Sequence, residues 1–113
     1  MIEEVQKDVL SIPSDYIEDV LRIYHTSESH FDQAEWQTQV TLGAFGLAGE
    51  AGEVANIVKK AVFHGKTLDR EHLCDELGDM LWYFTLLCEG VGLSLQEIID
   101  ANRKKMQTRF PPR

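Results

Sequence analysis

The sequence of 113 residues has little cysteine, an excess of negative charge and no long apolar run. No stretch reaches the ~18 apolar residues of a membrane-spanning helix, so we expect no membrane segment. The net charge of −8 argues against a protein that binds a nucleic-acid polymer, because such a protein needs a basic face. Neither a CxxC motif nor a cysteine–histidine zinc spacing occurs, which argues against a structural zinc site.

The two cysteines and the N-terminus indicate a cytoplasmic protein. On one continuous helix, Cys74 and Cys88 would lie about 21 Å apart, which is too far for an intrachain disulfide. Reduced and packed thiols are typical of the cytoplasm. The N-terminal segment MIEEVQKDVL is acidic and amphipathic, and this composition is not that of a signal peptide.

The chain also lacks strand-like alternation and internal repeats, and its apolar spacing predicts an all-α fold. Its length is that of one domain over residues 1–113, with a motif-bearing core at about 35–110. Four helices with short connections predict a four-helix bundle. The predicted helices run from Ser14 or Asp15 to about His25, from about Gln33 to Phe63, from about Asp69 to Gly90, and from about Ser94 to Thr108, with a further turn or two between Ile2 and Leu10.

Two pairs of carboxylates are the most informative feature that is present. Glu50 and Glu53 stand three apart in the second predicted helix, and Glu76 and Asp79 stand three apart in the third. Residues three apart share a helix face, and helices joined by a short loop are antiparallel neighbours. The four side chains should therefore meet at a site for a hard divalent cation. One such pair alone would fit a solvated helix stripe equally well, but two matched pairs favour the metal site.

Basic residues lie near both motifs and suit a phosphate-bearing substrate. Carboxylate-bound metal ions can neutralise a polyphosphate and orient a water molecule for in-line attack, and a carboxylate without metal can act as a general base. Asn102, Lys105 and Arg109 share one face of the fourth helix and are candidates for phosphate contacts, as is Lys60 in the second helix. Basic residues also complement the dipole of a helix end, and that alternative stays open for them.

The second predicted helix contains glycines at every third position from Gly43 to Gly52. Each of these glycines costs about 0.5–1 kcal/mol relative to alanine within a helix. Close approach of neighbouring backbones, or of a ligand, would explain them. A break in the helix between Gly43 and Gly49 is the alternative.

Three segments together resemble one known family. They are GLAGEAGEV at 46–54, DELGDMLWY at 75–83, and the pattern Asn102-x-x-Lys105-x-x-x-Arg109-Phe-Pro. In this order they are similar to MazG-type nucleoside triphosphate pyrophosphohydrolases over roughly residues 42–111. The resemblance implies the all-α NTP pyrophosphohydrolase fold and hydrolysis of an NTP or dNTP to the monophosphate and pyrophosphate, with a possible role in clearing the nucleotide pool.

The resemblance also implies roles for single residues and an assembly. Glu50, Glu53, Glu76 and Asp79 would bind Mg²⁺, for which Mn²⁺ can substitute, and would carry catalysis. Asn102 and Lys105 would contact the substrate phosphates. Members of the family form dimers or tetramers with sites at or near subunit contacts, so a homodimer or homotetramer is expected. An apolar set could serve that contact or belong to the monomer core: Trp82, Tyr83, Phe84 and Leu86.

Several alternatives remain open at the level of sequence. Within the fold, the enzyme could instead be specific for dUTP or dCTP, or act on phosphoribosyl-ATP. Residues of the base pocket cannot be assigned, and Trp36, His30 and Phe31 are candidates only because they precede the first carboxylate pair, Glu50 and Glu53. The alternative from another function class is a non-catalytic helical module that binds a nucleotide or a protein. A di-iron bundle is disfavoured because no glutamate has a histidine three residues later.

Overall fold

The computed structural model describes residues 12–26 and 35–112, which form four α-helices and no strand. The all-α fold class predicted from the sequence is therefore confirmed. The predicted turn at 2–10, and most of the polar segment between the first two helices, lie outside the described residues. The helices are α1 (Ser14–Thr26), α2 (Trp36–Phe63), α3 (Arg70–Val91) and α4 (Leu95–Arg109).

Glycines and side-chain caps set the ends of these helices. Beyond the last turn of α2, Gly65 has φ +65°, and Gly92 at the end of α3 has φ +71°, a backbone conformation that favours glycine. The Asp69 side chain accepts a hydrogen bond from a backbone N–H in the first turn of α3. Ser94 and Glu97 form the predicted capping box at the start of α4, with hydrogen bonds of 3.1 and 2.7 Å.

Helices α2 and α3 form an antiparallel hairpin with very close contact at one end. A Cβ atom placed on Gly43 would lie 2.9 Å from the backbone nitrogen of Leu87, and the ring of Tyr83 leaves no room for a Cβ on Gly46. On the other helix, a Cβ on Gly90 would lie 2.9 Å from a methyl group of Val40. Helix α2 is continuous, so there is no break between Gly43 and Gly49. Close approach of the α3 backbone explains Gly43, and the ring of Tyr83 explains Gly46.

Helix α1 packs against α3 and supplies part of the buried core. Val20 and Tyr24 from α1 and Leu86 from α3 are almost completely buried and contact one another. Tyr16 and Trp82 are half-buried and pack around this group. The sequence left open whether the apolar set on α3 is core or subunit contact. Leu86 is core, and the three aromatic residues of that set are half-buried.

Helix α4 lies apart from the hairpin. Its start meets α1 and the end of α3, but within the described chain it packs closely along no other helix. Most of its side chains are exposed, with Ile98 and Ile99 half-buried. A single chain also leaves large apolar side chains open to solvent on α2, including Phe45 at 76% and Phe63 at 79% exposure. None of the described helices is both long and apolar enough to span a membrane.

Candidate metal centre

Three of the four predicted carboxylates meet at the hairpin. Glu50 from α2 and Glu76 and Asp79 from α3 each place an oxygen atom within 4.8 Å of those of the other two, and we call them the acidic cluster. Glu50 and Glu76 are half-buried, whereas Asp79 is exposed. Carboxylate oxygens that converge in this way, with one side open to solvent, match the ligands that Mg²⁺ takes together with water and substrate.

The electrostatics of the acidic cluster indicate that it suits a cation. The pKa of Glu50 is raised from 4.5 to about 7, first by a hydrogen bond with Glu76, then by partial burial, and then by the charges of Glu76, Asp79 and Glu53. Without a cation, Glu50 therefore keeps its proton to a higher pH than an isolated glutamate, because the proton allows the hydrogen bond with Glu76 and relieves the repulsion from the neighbouring carboxylates. A divalent cation would remove this repulsion, so the donor set fits a metal ion chemically.

Glu53, the fourth predicted ligand, lies at the edge of the acidic cluster. Three residues along a helix correspond to a rotation of about 300°, so Glu53 is turned about 60° away from Glu50. Its side chain is exposed, and its oxygen atoms do not belong to the converging group, although its charge acts on Glu50. A carboxylate in this position can complete a ligand set or accept a proton.

Two residues that the sequence reasoning did not select border the acidic cluster. The Nε2 atom of His72 lies 3.3 Å from a carboxylate oxygen of Glu76, one turn further along α3. Partial burial, followed by the negative charge of Asp79, raises the pKa of Tyr16 in the first turn of α1. The i,i+4 spacing of His72 and Glu76 was a usable signal. No sequence signal pointed to Tyr16, because its position depends on how α1 packs on α3.

The predicted phosphate contacts lie elsewhere in the single chain. Asn102, Lys105 and Arg109 are exposed on α4, and within the described residues none of them is hydrogen-bonded or ion-paired to the acidic cluster. Lys60 is exposed and lies ten residues after Glu50, about 15 Å along α2. The chain therefore does not bring these cations to the carboxylates by itself, and their roles stay predictions.

Of the three candidates for the pocket of the nucleotide base, one lies in the described part of the chain. Trp36 begins α2 and is 59% exposed, while His30 and Phe31 lie outside the described residues.

Around the carboxylates, positions 49, 52 and 78 are glycines where an added Cβ would meet no atom within 4 Å. No side chain therefore covers the helix backbone at these three glycines beside the acidic cluster.

Comparisons with known proteins agree with this geometry. Residues 37–113 match the family model of the MazG nucleotide pyrophosphohydrolase domain. The Gene 37 protein of Mycobacterium phage L5 is 37% identical over 82 residues, which cover 69% of this chain and 69% of the phage protein. No solved structure matches the chain. The matched family region contains the acidic cluster and α4, whereas α1 precedes it.

Proposed function

We propose that this chain, which belongs to the MazG nucleotide pyrophosphohydrolase family, hydrolyses a nucleoside or deoxynucleoside triphosphate to the monophosphate and pyrophosphate with the help of Mg²⁺ or Mn²⁺. The observation that carries the proposal is the convergence of Glu50, Glu76 and Asp79 within the matched family region. The raised pKa of Glu50, about 7, shows that its charged form is disfavoured beside Glu76 and Asp79, and this gives the group a chemical reason to bind a divalent cation.

The proposed reaction divides the acidic residues into two roles. Glu50, Glu76 and Asp79 would hold the metal, which when bound neutralises phosphate charge and lowers the pKa of a coordinated water. Glu53, beside them but outside the converging group, would accept a proton from the attacking water as general base. The water oxygen forms a bond to a phosphorus atom that flanks the α–β bridging oxygen. The bond between that phosphorus and the bridging oxygen breaks, which separates the monophosphate from pyrophosphate.

We further propose that the active enzyme is a homodimer or homotetramer. Phe45 and Phe63 on α2 are mostly exposed in one chain, and α4 lacks close packing along its own hairpin. A second copy could cover these apolar surfaces. It could also bring Asn102, Lys105 and Arg109, together with Lys60, near the acids as phosphate contacts.

The proposed role extends to the cell compartment and the substrate pool. The free thiols of Cys74 and Cys88 fit a reducing compartment, and we place the enzyme in the cytoplasm. Its substrate would come from the nucleotide pool, and removal of unwanted nucleotides is the role that this reaction serves best. The base that it prefers is left to experiment.

The decisive test is a hydrolysis assay with Mg²⁺ over a panel of canonical and modified NTPs and dNTPs that separates pyrophosphate from orthophosphate. We expect monophosphate and pyrophosphate in equal amounts, and loss of both with EDTA. Preference for dUTP or dCTP would narrow the proposal to a specific enzyme. Turnover of phosphoribosyl-ATP alone would replace the substrate class. Release of orthophosphate would contradict the proposal and indicate a different hydrolase. No turnover of any substrate would also contradict it and would favour a non-catalytic binding module.

A further inference from the structure

We infer that one exposed face of α2 pairs with the same face of a second copy of this chain, antiparallel and with Asn56 at the two-fold axis, so that each copy places Lys60 beside the acids of the other. The inference rests on the oligomer proposed above, to which it adds the face, the register and the residue contributed. We call this surface the α2 docking face, and its members lie on one side of the helix: Phe45, Ala48, Gly49, Gly52, Asn56 and Phe63.

The α2 docking face is uncovered in one chain. Within the described residues, α2 packs closely on α3 alone, and Phe45 is turned by about 200° from Gly43, which meets α3. Phe45 is 76% exposed and Phe63 is 79% exposed. These two residues are separated by five full helix turns of 3.6 residues, so their rings lie on one line along the helix. A large apolar side chain therefore stands open to solvent at each end of the face.

The shape of the face suits a second copy of itself. In packed helices, a side chain of one helix enters a hole formed by four residues of the other. Phe45, Ala48, Gly49 and Gly52 have the spacing of such a hole, and at both glycines an added Cβ would meet no atom within 4 Å. The ring of Phe63 from a second copy would fill this hole and cover Phe45 at its rim. A two-fold axis makes both insertions at once, because the same patch serves on each copy.

The register that follows from this insertion also pairs opposite charges. When Phe63 of one copy lies opposite Gly49 of the other, the two-fold axis passes midway between them, at Asn56. Lys60 of one copy then lies opposite Gly52 of the other and next to its Glu53, and both are exposed on the same flank of the docking face. Within one chain, Glu53 and Lys60 are about 10 Å apart along α2. Charge complementarity of this kind fixes the register of an interface.

The same register gives Lys60 a place in the site. In its own chain, Lys60 lies about 15 Å along α2 from Glu50. In the pair of chains, the amino group of Lys60 reaches Glu53 of the other copy, at the edge of the acidic cluster. A polyphosphate bound to metal at that cluster would carry negative charge there, which a lysine from the second copy can neutralise. Each site is then incomplete without the other copy.

Disulfide trapping of the full chain tests the position of the axis, with Cys74→Ser in every variant because Cys74 is exposed. Two packed helices 8–10 Å apart would bring the two Asn56 Cα atoms to about 4–5 Å, which is within disulfide range. Asn56→Cys should form a covalent dimer in most of the protein under mild oxidation. Ala55→Cys is the matched control, exposed but turned by about 100° from Asn56, and should stay uncrosslinked. No crosslink in Asn56→Cys, or equal crosslinking in both variants, would overturn the inference.

Sedimentation equilibrium tests the insertion of Phe63. Phe63→Ala should raise the dissociation constant of the dimer about 100-fold, because each dimer loses two rings that fill holes. Val62→Ala is the matched control, since Val62 is also exposed, at 66%, but is turned by about 100° from Phe63. Equal dissociation constants for Phe63→Ala and the wild type would remove Phe63 from the contact and overturn the inference.

Reversal of the charges tests the register. Lys60→Glu should weaken the dimer about tenfold, and the double change with Glu53→Lys should restore most of the affinity, because the pair is re-formed across the interface. No recovery in the double variant would overturn the register and the place of Lys60 beside the acids. A wild-type chain that sediments as a monomer would overturn the inference together with the proposed oligomer. The hydrolysis assay is independent of these measurements, so failure of the proposed reaction can be told apart from failure of the interface.

Discussion

The α2–α3 hairpin has a closed half and an open half, and glycine occurs in both for different reasons. In the closed half, Gly43 and Gly46 meet α3 so closely that no side chain fits. In the open half, Gly49, Gly52 and Gly78 have open space beside them, and the acidic cluster lies among them. Close packing in the closed half fixes the distance between the two helices. In the open half, the acids therefore face one another across this distance, with open space at the neighbouring glycines. Close helix packing and the candidate metal centre thereby occupy separate halves of one hairpin.

The largest expected effect comes from removing one charge in the open half. Glu53→Gln should lower the rate of nucleotide hydrolysis about 10²–10⁴-fold, because it removes the proposed general base. The free energy of unfolding should not fall, since the Glu53 side chain is exposed and adds to the repulsion on Glu50. Steady-state kinetics and urea denaturation of the same preparation measure both quantities. Wild-type turnover in a folded Glu53→Gln protein would remove Glu53 from the mechanism.

The closed half should respond in the opposite way. Gly46→Ala puts a methyl group where the ring of Tyr83 lies, so we expect the free energy of unfolding to fall by about 1–3 kcal/mol. The matched change Gly49→Ala has open space and should raise it by about 0.5–1 kcal/mol through better helix propensity. Urea denaturation midpoints at constant slope give both values. Equal shifts in the two variants would show that the halves do not differ in packing.

The sequence alone was sufficient to predict the helices and most of the acidic cluster. Carboxylates three apart on two helices joined by a short loop were expected to share one site, and three of the four converge. Caps such as Asp69 and Gly92 mark the helix ends. The spacing of Glu50 and Glu53 did not show which of them converges with α3, because a 60° rotation decides it only once the helices are packed. The division of the glycines into two groups depends on the register between α2 and α3, which no local pattern encodes.

The placement of α1 and α4 was beyond local patterns for a related reason. Tyr16 lies at the contact of α1 with α3 because Val20 and Tyr24 are buried there, a tertiary contact without a sequence motif. The short connection before α4 predicted a neighbour packed along the bundle, yet α4 packs closely along none of the described helices. No periodic pattern of the sequence indicated where α4 would lie relative to the acids.

The smallest expected effect is a pH dependence that belongs to the open half. The folded pKa of Glu50, about 7, is above its ordinary value of 4.5, so the folded state binds the extra proton between these values. The free energy of unfolding of the metal-free protein should therefore fall as pH rises from about 4.5 through 7. The effect is modest because Glu50 is only partly buried and solvent screens it.

Thermal melts in EDTA at about pH 5 and about pH 8 should show a larger loss of stability with rising pH for the wild type than for Glu50→Gln, which cannot ionise. Addition of Mg²⁺ should reduce the wild-type loss above pH 7, because the cation favours the charged form that binds it. The same dependence on pH in Glu50→Gln and the wild type would mean that the repulsion among the carboxylates does not bear on folding.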